Sequence, residues 1–136
     1  MSRTTRTTTI EHRELGRFLA VAGRRFVRGD GPAEMFSRAM DAVWHRALAG
    51  PGYADFCTGR AGSVIGHREA KGSGPIGWVT EYEEEYGPLP EIWFTDEEGR
   101  LDAAALARYR ETGRVVAEWD CVPTTGDGDD AVPGSR

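Results

Sequence analysis

The sequence predicts an α+β domain: an N-terminal antiparallel helical hairpin packed on a small sheet of about three strands, with one further helix before the last strand. Three observations predict it. Two amphipathic stretches between Thr8 and Ala49 are parted by only a short Gly/Pro linker, so their apolar stripes need a common cover. Glu91 to Thr95 (EIWFT) is rich in aromatic and β-branched residues. Val115 to Cys121 alternates apolar and polar residues directly after a capped helical stretch.

Taken in order, Ser2 to Thr9 is Thr/Arg-rich and expected to be a flexible arm, residues 1–9. Thr8 and Glu11 have the spacing of a capping box, and Leu15, Phe18, Leu19, Ala22 and Phe26 then recur at helical intervals up to about Val27. Arg28-Gly29-Asp30-Gly31-Pro32 stops that helix and starts a second, expected over Ala33 to Ala49, with Phe36, Met40, Val43, Trp44, Ala47 and Leu48 on one side. Gly50-Pro51-Gly52 ends it.

From Tyr53 to Pro75 five glycines and weak periodicity indicate loop, with a short strand at Ser63 to Gly66. Ile76 to Tyr82 alternates partially and is expected to be a strand, with a helix into Glu83-Glu84-Glu85 as the alternative. Asp102 caps a helix to Thr112 that Gly113 ends, and Val115 to Cys121 follows as a half-buried strand. Residues 10–122 form the expected single domain, and Pro123 onward an acidic disordered tail, residues 123–136.

Charge is divided unevenly along the chain. Residues 1–71 carry 12 Lys+Arg against 7 Asp+Glu, and residues 72–136 carry 5 against 15, within a net charge of −5. Such an asymmetry fits a partner-binding surface, or two halves that attract each other. No run of about 18 apolar residues is present and the N-terminus lacks the apolar core of a signal peptide, so no membrane association and a cytoplasmic location are expected. Cys57 and Cys121 lie far apart without CxxC spacing, which argues for free thiols.

Several motifs fail on residue order. Gly66 to Gly74 (GHREAKGSG) is glycine-rich, but Lys71 precedes Gly72 and Pro75 follows, which is not a phosphate loop. Thr95 to Asp102 resembles part of a calcium loop, yet that register puts Phe94 and Ala105 where the first and last carboxylates belong. His12, His45, His67, Cys57 and Cys121 are raw material for a metal site without diagnostic spacing, so no metal, no catalytic residue and no cofactor are assigned. His67, beside Arg68 in the Gly-rich segment, is the histidine placed where a functional one would be expected.

The segment Trp78 to Phe94 (WVTEYEEEYGPLPEIWF) concentrates five rings among five glutamates. Aromatics with polar edges favour interfaces and an acidic rim steers a basic partner. The competing account makes Trp78, Trp93 and Phe94 core and the glutamates a solvated edge. The expected function is a non-catalytic interaction or accessory protein that binds a protein partner through Trp78, Tyr82, Tyr86, Trp93, Glu81 and Glu84, with His67 and Arg68 as further binding residues. One alternative is a small enzyme with its site at the Gly-rich loop around His67. Another is a nucleic-acid-binding regulator using Arg3, Arg6, Arg13, Arg17, Arg24, Arg25 and Arg28, which the net negative charge and the spread of those arginines around the helix disfavour. A homo-oligomer is compatible with the same surface.

Overall fold

A computed structural model describes the backbone of residues 2–125 and the side chains of residues 9–125. It is α+β, with five α-helices, a single-turn 3-10 helix and one two-stranded antiparallel sheet among the described residues. No described helix is long and apolar enough to cross a membrane.

Helix α1 (Ser2–Arg28) is the central element. Leu15, Phe18, Leu19 and Ala22 lie on its buried side as the periodicity predicts, Val21 joins them, and Phe26 is only partly buried. It reaches back to Ser2, so the backbone of the expected arm is helical and Thr8 is no cap. Helix α2 (Arg38–Ala49) starts later than expected. Ser37 is its N-cap, its hydroxyl accepting from the Met40 N–H at 3.1 Å. The residues before it are held extended because the Met35 N–H donates to the Cys121 carbonyl at 3.1 Å.

The expected loop after Gly52 is instead ordered. Helix α3 (Tyr53–Ala61) packs on α1 more extensively than α2 does, so the hairpin is really a three-helix arrangement. Their close approach runs over Gly23, where a Cβ would stand 3.0 Å from the Ala61 carbonyl. Strand β1 (Ile65–Pro75) then takes up the Gly-rich segment and pairs with strand β2 (Val116–Thr125), Ile65 opposite Thr125 and Pro75 opposite Val116, with a bulge between Glu69 and Gly72. Glycine is needed there for a reason sequence periodicity does not show: a Cβ on Gly72 would lie 2.6 Å from the Trp119 ring across the ladder. Strand β2 also runs past the expected end at Cys121, with Pro123 and Thr124 buried; the rest of the expected tail, residues 126–136, lies outside the described residues.

Two other expected strands are helical, which leaves two strands rather than three. Trp78–Tyr86 is helix α4, the alternative assignment for that stretch, and Glu91–Phe94 is the 3-10 turn. Helix α5 (Ala103–Thr112) is as expected, with the Asp102 carboxylate accepting from the Ala105 N–H at 3.1 Å and Gly113 closing it in the left-handed region at φ 74°.

The core is unusually aromatic. Phe18 is ringed by Trp44, Trp78 and Trp93, with centroids 5.4, 5.2 and 5.9 Å away. Beneath them Glu14, 0% exposed, anchors a polar network. Its Oε1 accepts from the Tyr82 hydroxyl at 2.6 Å and from Trp93 Nε1 at 3.0 Å, while Oε2 accepts from Arg13 Nε at 2.9 Å and Arg17 Nη1 at 3.3 Å. The carboxylate thus bonds α1 to α4 and the 3-10 turn, and buried polar edges that would otherwise face water are satisfied inside.

Candidate functional site

That network removes the aromatic part of the expected interaction surface. Trp78, Tyr82 and Trp93 are fully buried, with Trp78 Nε1 donating to the Glu34 carbonyl at 2.8 Å and the other two serving Glu14. Tyr86 is half-buried under the Arg17 guanidinium, 4.6 Å from its ring centroid. Glu81 is engaged within the chain, 3.0 Å from Arg25 and 4.0 Å from Arg28. Glu84 remains exposed. Arg68 is exposed on β1, and His67, also on β1, packs its ring edge against Trp44 with centroids 4.7 Å apart. The eight expected binding residues therefore do not converge on one surface. The same pairings show that part of the charge asymmetry is satisfied internally, because the basic face of α1 meets α4 at Glu81 and Tyr86.

Two other places bring chemistry together. The first is a groove of about 400 Å³ walled by the start of α2, the 3-10 turn, α5 and the beginning of β2. Phe36, Trp93, Phe94 and Val115 give it an apolar lining, and Arg38, Arg108 and Arg114 border it. Those three arginines form no ion pair among the described residues. Arg100, also at the groove, is neutralised: Asp96 accepts from its backbone N–H at 2.9 Å and from its Nε at 3.1 Å, and those bonds hold the Asp96 carboxyl below its usual range. Asp102, the remaining acid there, is occupied as the cap of α5. Of the five basic residues in the acidic half of the chain, three, Arg100, Arg108 and Arg114, line this one groove. Val116, 71% exposed, and Leu101, 42% exposed, are two of the three large apolar side chains left open to solvent among the described residues, and both are at its lip.

The second place surrounds His67. Asp41 and His45, one turn apart on α2, His67 on β1 and Cys121 on β2 put their ligating atoms within 4.8 Å of one another. Burial and then neighbouring His45 lower the His67 pKa; burial, with the carboxylates of Asp41, Asp120 and Glu69, pushes the Cys121 thiol up to about 12. His45, His67 and Cys121 are all in the set of titratable residues that sequence singled out without a diagnostic spacing. Asp41 was missed, although its four-residue offset from His45 on a helix is a readable signal. The other two histidine-set members lie apart: His12 packs on Phe56, and Cys57 is buried beside Ile65.

No family model, no curated protein and no solved structure matches the chain.

Proposed function

We propose that this protein is a non-catalytic binding module that docks an extended acidic segment of a partner protein into the arginine-bordered groove. The observation that carries the reading is the set of three unpaired arginines, Arg38, Arg108 and Arg114, around an apolar cleft, the last two from the otherwise acidic half of the chain. Partner charge is thus the reverse of what an aromatic-acidic surface would select. Carboxylates on the partner would pair with guanidinium groups that can bind them bidentately, and an apolar side chain between them would fill the cleft. The edge of β2 supports an extended rather than a helical partner. Among the described residues β2 pairs only with β1, apart from one bridge at Met35–Cys121, and the consecutive residues Arg114 to Ala117 all line the groove. A free strand edge beside a side-chain pocket is the arrangement in which backbone bonds supply affinity and the pocket supplies specificity.

Selection of a phage-displayed peptide library on the intact chain tests this. Enriched peptides should carry an apolar residue flanked by acids, and binding measured by fluorescence anisotropy should weaken with salt. Arg38→Glu/Arg108→Glu/Arg114→Glu should abolish it while leaving the circular dichroism spectrum unchanged, since all three side chains are exposed. Enrichment of basic or neutral peptides, or binding indifferent to the triple substitution, would sink the proposal.

A further inference from the structure

The cluster on α2, β1 and β2 is built from residue types and distances that suit one transition-metal ion. His45 Nε2 lies 3.1 Å from His67 Nε2, 3.4 Å from Asp41 Oδ1 and 3.9 Å from Cys121 Sγ. A tetrahedral zinc ion with bonds of about 2.0–2.1 Å to nitrogen and oxygen and about 2.3 Å to sulfur sets its ligand atoms about 3.3–3.6 Å apart. The three separations from His45 Nε2 bracket that range, and all four ligating atoms lie within 4.8 Å of one another, close enough for small side-chain shifts to close on one ion.

Hydrogen bonding alone does not account for the arrangement. One imidazole nitrogen can donate a single proton or accept a single bond, yet three groups crowd His45 Nε2. Asp41 Oδ1 is shut off from solvent and has no hydrogen bond of good geometry, with only His45 Nε2 at 3.4 Å and the Cys121 thiol as donors facing the carboxylate from the cluster. A buried carboxylate oxygen without a well-placed donor is costly, and natural folds rarely leave one. A cation placed among the four atoms would satisfy every converging lone pair at once.

From this geometry we infer that Asp41, His45, His67 and Cys121 bind one divalent zinc-class ion. Two neutral imidazoles, one carboxylate and one thiolate bring the charge of such a site to zero, and the mixed nitrogen, sulfur and oxygen set matches the borderline softness of zinc rather than the all-oxygen preference of calcium or magnesium. Four protein ligands fill a tetrahedral shell and leave no position for a substrate water, so the ion is structural. Its ligands come from one helix and both strands of the sheet, three elements that the ion ties together. Local order helps: the one-turn offset puts Asp41 and His45 on one face of α2, and the Trp44 ring fixes His67 edge-on. The inference is independent of what occupies the groove.

The test uses the full chain stripped of metal by a chelator and titrated with Zn²⁺ and with Co²⁺. One Zn²⁺ should bind per chain in competition with a chromophoric chelator. Co²⁺ should show the intense visible absorption of a tetrahedral ion together with a thiolate-to-cobalt charge-transfer band. At free zinc 100-fold above Kd the unfolding equilibrium constant should fall about 100-fold. His45→Ala removes a side chain that is 51% exposed, so folding should survive while zinc affinity drops at least about 100-fold. Asp41→Asn, which keeps the side-chain shape, gives a second reading of the same loss, and Cys121→Ser should erase the charge-transfer band and shift the visible bands. His12→Ala, away from the cluster, should bind as the parent does. Failure of the parent chain to bind Zn²⁺, binding unchanged in His45→Ala and Asp41→Asn, or a weak six-coordinate Co²⁺ spectrum would overturn the assignment.

Discussion

Replacing Glu14 by alanine should be among the most damaging single changes to this fold, and its cost can be worked from the bonds it breaks. The Tyr82 hydroxyl and Trp93 Nε1 both donate to Oε1, and both belong to fully buried residues. Each buried donor left without an acceptor costs about 1–3 kcal/mol. Arg13 and Arg17 are partly exposed and can turn to water, so their loss adds little. The total is about 4 kcal/mol, a large share of the roughly 5–15 kcal/mol that holds a domain together, and equivalent to a drop in Tm of about 15 °C at this size. Urea unfolding followed by tryptophan fluorescence and by circular dichroism measures it. Tyr82→Phe should cost less in the Glu14→Ala background than in the parent, because the orphaned hydroxyl is then gone. A loss under about 1 kcal/mol for Glu14→Ala, or strictly additive substitutions, would refute the claim that this network holds α1 to α4 and the 3-10 turn.

Three further outcomes are expected. Burial, with the Glu83 carboxylate beside it, pushes the Tyr109 hydroxyl from 10.0 up to about 12, and burial also raises Tyr82 and Tyr53; a phenol whose folded pKa is raised stabilises fully below its unfolded value and loses that contribution as pH rises. Stability should therefore hold to about pH 10 and fall between about pH 10 and 12, a slope that urea midpoints will show and that Tyr109→Phe should flatten. Ser37→Ala removes the cap of α2 and the 3.3 Å bond to the Ile92 carbonyl, and should cost about 1 kcal/mol by urea unfolding, with Thr restoring much of it. Gly72→Ala drives a methyl into the Trp119 ring, which should cost about 1–3 kcal/mol and shift the tryptophan emission; unchanged emission and stability would show that the ring gives way freely.

What was legible in the sequence depended on whether the cause of a structure lay nearby in the chain. Helix α5 has its cap, its stop and its apolar face within Asp102 to Gly113, and α1 carries its stripe in its own periodicity. Strand β1 does not. Its glycines look like loop until Trp119, far along the chain, is seen to need the space above Gly72. The aromatic run EIWFT has strand composition, but its Trp93 is recruited by Glu14, and the chain turns to deliver it. The same holds for function. A cluster of rings and glutamates invited an interface because no local feature announces a buried carboxylate 68 residues before Tyr82. Two local signals were present: the Asp41/His45 offset, and the concentration of Arg100, Arg108 and Arg114 in a half otherwise dominated by acids.

The groove and the cluster share two elements, and this makes their roles physically related though separately testable. Helix α2 presents Arg38 to the groove and, one and two turns later, Asp41 and His45 to the cluster. Strand β2 offers Val116 and Ala117 to the groove and Cys121 to the cluster. Among the described residues no salt bridge or disulfide links α2 to β2, and besides the cluster's own His45–Cys121 contact the tie between this part of the chain and the strand is the Met35–Cys121 bridge just ahead of the helix. An ion bonded to both elements would fix the spacing of two groove walls without touching the occupant. Charge reversal at Arg108 and Arg114 leaves the ion's ligands intact, so it should remove peptide binding and spare zinc. Loss of His45 leaves every arginine in place, so any weakening of peptide binding it causes must pass through the position of α2, as greater disorder of the groove rather than a lost contact.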